Sequence, residues 1–285
     1  MMRFGAFGLF GAVAALAVLC TGEADAAEAP KRVVSMNVCT DQLAMLIAGK
    51  GQLHSVSDLA IDPLSSTLAD EAKGYVINHG LAEEVFLMHP DLVLAGTYTT
   101  RSTVALLRRL GIPVEDFAPE ASLDDIRTNI VRMGNILGRQ DRAAELLAEF
   151  DLGLSALAAD RTRQRTVALY YANSYTSGAG TLVDAVVRAA GLINIADRLG
   201  LAGTVKLQLE FLILAAPDIL VGGVEDYGRP AMAEENFMHP AYRALLAKSQ
   251  GVSIPSAYTL CGTPYTLEAA RRLQSAAHML EGRAQ

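Results

Sequence analysis

The apolar positions along the chain switch between two periods. Over 140–160 the residues Ala143, Leu146, Leu147, Phe150, Leu154 and Leu157 recur three or four apart, the spacing that lines one face of a helix. A helix of that length is roughly 30 Å long at about 1.5 Å per residue, enough to reach from one lobe of a small protein to another. Short strand-like runs lie on both sides of it. They fall at 33–35, 54–57, 75–80, 91–95 and 112–117 before the helix, and at 166–171, 219–222 and 252–254 after it. Helical patterns alternate with them at 42–48, 102–110, 182–190, 242–248 and from 267 onward. Another helix opens on Ser122 with Asp125 three residues later, runs through Ile126, Ile130, Met133 and Leu137, and stops at Gly138. This alternation predicts an α/β fold with mainly parallel sheets, whose strand-to-helix loops gather at one edge and form the place where a ligand binds.

The halves flanking the long helix are alike. Glu83 stands seven residues ahead of Pro90-Asp91, which opens an apolar run ending in Gly96. Glu210 stands seven ahead of Pro217-Asp218, which opens another ending in Gly222-Gly223. Each half also begins with a short apolar strand, a polar loop and a helical pattern, at 32–35 and again at 165–170. A unit repeated once at this separation means two lobes rather than a solenoid. The predicted division is residues 27–138, a linking helix over 139–161, and residues 162–285.

Residues 1–26 carry the pattern of a cleaved export signal: Arg3, an apolar run over 4–19, and Ala24-Asp25-Ala26 as the small-x-small cleavage site. Bulky Leu19 before Cys20 argues against a lipid-anchored form. The formal net charge of −7 becomes −6 without this segment, which holds Arg3, Glu23 and Asp25. A mildly acidic chain with no Lys/Arg run lacks the footprint of a nucleic-acid binder. Hydrophobic residues make up 51% of the sequence, ample for a large core, and chains beyond about 250 residues tend to divide.

Export, two similar lobes and one long connecting helix together resemble the class III periplasmic substrate-binding proteins of the ferric-siderophore and vitamin B12 importers, the helical-backbone receptor superfamily. The resemblance rests on residues 32–43, the two Glu/Pro-Asp units and the linking helix, and it spans the mature chain. It implies two lobes joined by one rigid helix, with the ligand in a shallow cleft between them. It also implies a periplasmic, monomeric protein that hands its cargo to an ABC permease with its ATPase, downstream of an outer-membrane receptor system. Glu83 and Glu210 match the acidic residues that dock, one per lobe, into arginine pockets of the permease; Glu84 is the rival for Glu83. Without that role, each Glu simply favours the positive end of its helix.

The cleft implied by this resemblance is built from loops at the sheet edges. The first lobe contributes Asn37, Cys39, Thr40 and Asp41, and Tyr98, Thr99 and Arg101. The second contributes Tyr171, Asn173, Tyr175, Thr176, Tyr227, Arg229 and Tyr258. Six of the nine tyrosines (Tyr98, Tyr171, Tyr175, Tyr227, Tyr258 and Tyr265) lie in or beside these loops. A broad ring with a polar tip suits a large planar or macrocyclic ligand, although Tyr265 reads equally well as a rim or core residue. The run Ser177-Gly178-Ala179-Gly180-Thr181 before a helix offers N–H groups to an anion but lacks the Lys of a nucleotide-binding loop.

The five histidines are scattered, which disfavours a bare Zn or Mn site. Few basic residues lie in the cleft loops, which disfavours a strongly anionic siderophore. A near-neutral chelate remains, a corrinoid or hydroxamate siderophore carrying its own cobalt or iron, with haem through an axial Tyr as the alternative. No cofactor of the protein's own is expected. Cys39 and Cys261, one per lobe, leave three readings open: a bridge across the cleft mouth, free thiols touching the chelate, or buried unpaired thiols. Enzyme action is disfavoured, since there is no G-x-S-x-G elbow and no H-E-x-x-H helix. A two-lobed sensor without an importer is the third class.

Overall fold

Each half of the chain folds around its own parallel sheet. The computed structural model describes residues 1, 28–160, 164–222 and 232–283. The export-signal segment, apart from Met1, lies outside the described residues, as do Tyr227 and Arg229.

The first sheet contains β1 (Val33–Ser35), β2 (Leu53–Ser57), β3 (Val76–Asn78), β4 (Leu92–Gly96) and β5 (Val114–Phe117), in the order β3-β2-β1-β4-β5 and parallel throughout. In the second half, β6 (Thr166–Leu169) is followed by β7 (Tyr175–Ser177), β8 (Ile193–Asn194), β9 (Thr204–Lys206), β10 (Ile219–Val221) and β11 (Gln250–Val252). Four of these form a parallel sheet in the order β11-β10-β6-β8, and β7 pairs with β9 in a separate antiparallel ribbon. The central strands read as near-continuous apolar runs because helices cover both faces. Val33, Val34, Val93 and Leu94 in one lobe and Val167, Ala168, Leu169 and Leu220 in the other are all fully buried.

The repeat is visible in what the two Pro-Asp pairs do. Asp91 accepts hydrogen bonds from the backbone N–H groups of Lys31 and Arg32, at 2.6 and 2.9 Å, at the entry to β1. Asp218 accepts from the N–H and hydroxyl of Thr166, each at 2.8 Å, at the entry to β6. Each carboxylate therefore fastens the start of the neighbouring strand, and the residue before each proline, His89 or Ala216, takes a left-handed backbone conformation with φ of 50° or 42°.

The two lobes are joined by the Gln140–Ala159 helix. Its predicted face is the observed one. Ala143, Leu146, Phe150 and Leu157 are buried, while Leu147 and Leu154 are half-buried against the same core. The preceding Leu123–Leu137 helix begins with a reciprocal capping box between Ser122 and Asp125 and ends at Gly138, whose φ of 64° suits a residue without Cβ. One continuous apolar cluster runs from Val33 and Leu94 through Phe150 to Val167 and Val221, so the linking helix lies in a core common to both lobes.

Two local expectations are corrected. The stretch 37–41, read as a loop, is the start of the Val38–Ile47 helix. Asn37 caps it by accepting from the Cys39 N–H at 3.0 Å, so the chain turns helical earlier than its apolar pattern indicates. The polar stretch 171–181, read as one loop, contains β7, which is paired with a strand far along the chain.

Candidate functional site

The carboxyl ends of the two parallel sheets lead into loops that meet. Cys39 follows β1 by four residues, Cys261 lies in the segment after β11, and the two form a disulfide with their Cα atoms 5.0 Å apart. The facing edges are therefore the candidate site, since carboxyl edges are where ligands bind in open parallel sheets.

In the first lobe the helical start at Val38 turns several of the expected contacts inward. Thr40 is 2% exposed; its hydroxyl donates to the Asn37 carbonyl and lies 2.7 Å from that of Ser35. Asp41 is completely buried. Its Oδ2 accepts from the N–H and the hydroxyl of Ser57, at 3.1 and 2.5 Å, while its Oδ1 has no hydrogen-bond partner among the described residues. Burial pushes the Asp41 carboxyl up to about 7, and the charge of Asp58 adds to this against the opposing hydroxyls of Ser35 and Ser57. Asn78 extends the same polar layer by donating to the Ser35 carbonyl and the Ser55 hydroxyl, each at 2.8 Å. These groups form one buried polar layer at the carboxyl ends of β1, β2 and β3. After the carboxyl end of β4 come Tyr98, 86% exposed, and Arg101, exposed at the start of the Arg101–Arg109 helix. The Thr99 hydroxyl accepts from the Gly96 N–H at 3.0 Å and fixes this turn.

In the second lobe several of the expected contacts fall on the strained turn after β6. Asn173 and Ser174 both have positive φ, 55° and 61°, an unusual pair for residues with a Cβ. The turn is closed by the Tyr171 N–H donating to the Tyr175 carbonyl at 2.8 Å. It leaves Asn173 and the Tyr175 ring exposed, with the Lys206 ammonium 5.9 Å from the ring centre. The other predicted contacts face inward. The Tyr171 ring packs against the core, and burial pushes its phenol up to about 12, partly offset by the Ser177 hydroxyl. Thr176 is fully buried, with its hydroxyl unpartnered among the described residues. The Tyr258 ring is stacked under the Arg272 guanidinium, 5.2 Å away.

Three contributors escaped the sequence reading. Lys206 arrives on β9, whose pairing with β7 is non-local. Glu120 reaches across from the loop after β5 to accept from the Gly262 N–H at 3.0 Å. Leu260, 53% exposed, stands beside the disulfide. The Gly262 position had a readable signal only in being glycine; the partner that requires it lies 142 residues away.

Away from the cleft, Glu83 and Glu210 are exposed in the first turns of the Ala82–Leu87 and Leu209–Ala215 helices. Glu84 is engaged by His79, whose N–H donates to it at 2.7 Å. The two helices match position by position: Val85 and Leu212 are fully buried, while Leu87 and Leu214 are 71% and 80% exposed. Among the described residues no group of three or more His, Cys, Asp or Glu side chains is arranged to hold a metal ion.

Comparison with known proteins agrees with this architecture. A cobalamin-binding protein of Halobacterium salinarum is 28% identical over 201 residues, covering 68% of this chain and 54% of that protein, so the chain spans about half the length of the curated relatives it matches. The periplasmic haem-binding protein RhuT of Roseiflexus sp. RS-1 superposes with a TM-score of 0.69 at 25% identity, covering 87% of this chain and 99% of that one. The periplasmic vitamin B12 binding protein BtuF of Vibrio cholerae superposes with a TM-score of 0.64 at 19% identity over 88% and 98% of the two chains, a likeness of fold. Residues 33–251 match the periplasmic binding protein family, and the chain belongs to it.

Proposed function

We propose that this protein captures a metal chelate of the corrinoid or ferric-siderophore class in the cleft between its lobes and delivers it to the membrane permease of an ABC importer. The observation that carries this reading is the pair of exposed rings, Tyr98 in the loop after β4 and Tyr175 at the start of β7, just beyond the carboxyl end of β6. Broad rings with polar tips bind a large planar or macrocyclic face, and the sequence kinship with cobalamin-binding proteins favours a corrinoid. Working in the periplasm as a monomer, the protein takes cargo that an outer-membrane receptor has admitted, and it needs no cofactor of its own.

Haem is the second reading. Tyr98 presents a free phenol on the first lobe, a group able to ligate ferric iron, and the haem-binding RhuT shares both the fold and a quarter of its aligned sequence. A thermal-shift panel with cyanocobalamin, cobinamide, haem and ferric hydroxamates separates these readings. A ligand at a hundredfold excess over its Kd raises the apparent stability by about 2.7 kcal/mol. Stabilisation by a corrinoid alone supports the first reading, and stabilisation by haem that is lost in Tyr98→Phe supports the second. No response to any member of the panel sinks both.

Docking to the permease falls to Glu83 and Glu210. Each is exposed beside a protruding leucine, Leu87 or Leu214, so each lobe offers the same acid and apolar knob. Two separated carboxylates fix an orientation, and exposed charge speeds encounter while leaving release easy. Glu83→Lys with Glu210→Lys is expected to leave cargo affinity within twofold and to abolish uptake in cells; loss of affinity instead refutes the docking role.

A further inference from the structure

The disulfide does more than decorate the cleft. Two lobes joined only by a linking helix can open about several axes, whereas bodies tied at two separate points keep one easy rotation, about the line through both ties. Here the second tie is covalent. Cys39 is the second residue of the Val38–Ile47 helix in the first lobe, and Cys261 lies just before the Thr266–Arg283 helix in the second.

Both anchors are hydrogen-bonded to the end of a helix. The Cys39 N–H donates to the Asn37 cap at 3.0 Å. On the other side, the Thr266 hydroxyl donates to the Cys261 carbonyl and accepts from the Thr263 N–H, both at 3.2 Å, which welds the loop to the last helix. The contact is extended by Glu120 of the first lobe. It accepts from the Gly262 N–H with one oxygen and from the Asn129 side chain, at 2.6 Å, with the other. A Cβ at Gly262 would lie 2.5 Å from the Glu120 Cγ, so this close approach requires glycine. The two sulfurs differ in access, since Cys261 is fully buried whereas Cys39 is only partly covered. A thiolate from outside therefore attacks Cys39 and displaces Cys261.

We propose that the Cys39–Cys261 disulfide is a redox-controlled latch on the cleft. Closed, it confines the lobes to rocking about the line that joins it to the linking helix; opened, it leaves them held by the helix, the shared core and the Glu120–Gly262 hydrogen bond. Opening breaks one S–S bond with two electrons and two protons supplied by a dithiol reductant, which is itself oxidised to a disulfide. The first attack forms a mixed disulfide at Cys39 and expels Cys261 as the thiolate.

Hydrogen exchange followed by mass spectrometry tests this on the intact chain in three forms: untreated, treated with excess dithiothreitol without denaturant, and carrying Cys39→Ser with Cys261→Ser. In the treated and substituted forms, exchange in 37–41 and 259–266 is expected to be at least tenfold faster than in the untreated protein, with 33–35 and 166–169 unchanged. Equal rates in all three forms overturn the proposal, because the tie then restrains nothing. Comparable acceleration in 33–35 and 166–169 also overturns it, because the disulfide then holds the fold itself. A native protein that dithiothreitol cannot reduce, as read by alkylation and mass, is no latch. Glu120→Gln, with the disulfide intact, is expected to change these rates less than threefold; a tenfold change would move the controlling tie from the sulfurs to Glu120. None of these readouts needs cargo, so they stand apart from the transport reading.

Discussion

The two lobes bury a carboxylate at nearly the same place and neutralise it differently. In the second lobe Thr181 caps the Leu182–Ala189 helix, and Asp184 in its first turn is 3% exposed. Asp184 accepts from Arg188 Nε at 2.8 Å and from the Asn194 side chain at 2.9 Å, and Arg188 is shared with Asp197. In the first lobe Asn37 caps the corresponding helix and Asp41 occupies its first turn, yet its polar neighbours among the described residues are the uncharged Ser57 and Ser35, and no cation pairs with it. One lobe answers the cost of burying charge with an opposite charge, the other with a proton. The second solution leaves the buried polar layer of the first lobe sensitive to pH.

The largest effect expected from this contrast is at Asp41. Its folded value of about 7 lies above the ordinary 3.8, so the native state binds a proton that the unfolded chain has released across that interval. The associated stability is full below about pH 4 and is lost as pH rises through about 7. Moving a carboxyl that far is worth about 4 kcal/mol as an upper bound. Asp41→Asn, neutral at every pH and still able to accept from Ser57, should therefore be more stable than the parent by about 2–4 kcal/mol at pH 8 and close to it at pH 4. Urea unfolding at both pH values measures this, and a parent whose stability is flat from pH 5 to 8 sinks the contrast.

The same substitution in the other lobe should act in the opposite direction. Asp184→Asn removes the charge facing Arg188 while keeping an acceptor for Asn194. Because Arg188 is 57% exposed and retains Asp197, the screened loss is about 1–2 kcal/mol at pH 8. One aspartate-to-asparagine change that stabilises and one that destabilises, each in the first turn of its helix, is the sharpest form of the comparison. Two changes of the same sign would mean that the first lobe holds its carboxylate by interactions beyond Ser35 and Ser57.

What the sequence disclosed about these lobes follows the range of the interactions involved. The repeat was legible because its parts are local: Glu83 to Pro90-Asp91 and Glu210 to Pro217-Asp218 each fit within one helix, turn and strand. The face of the linking helix was legible because Ala143, Leu146, Phe150 and Leu157 obey one period. The interior of the site was not. Thr40 and Asp41 turn inward because Asn37 caps the helix early, a polar signal set against an apolar pattern. Lys206 reaches Tyr175 only through the β7–β9 pairing, and Glu120 meets Gly262 across 142 residues, where no local pattern speaks. Of the candidate residues, those that display a side chain, such as Tyr98 and Tyr175, were named by chemistry. Those that position them needed the fold.

The smallest expected effect lies in the repeated turn itself, where both lobes strain the same residue. His89 and Ala216 each precede a proline with φ of 50° and 42°, in a region that costs an L-residue roughly 1–2 kcal/mol. Histidine visits that region several-fold more readily than most residues, whereas alanine has no polar side chain to compensate. Glycine removes the steric cost at either site but adds unfolded-state entropy of about 0.5–1 kcal/mol. The two terms should nearly cancel in His89→Gly and leave a net gain of about 0.5 kcal/mol in Ala216→Gly. For a chain of this length that gain amounts to an upward shift in Tm of about 1–2 °C. If His89→Gly stabilised as much as Ala216→Gly, the cost at the turn would belong to the backbone alone, and the two copies of the repeat would be energetically equivalent despite their different side chains.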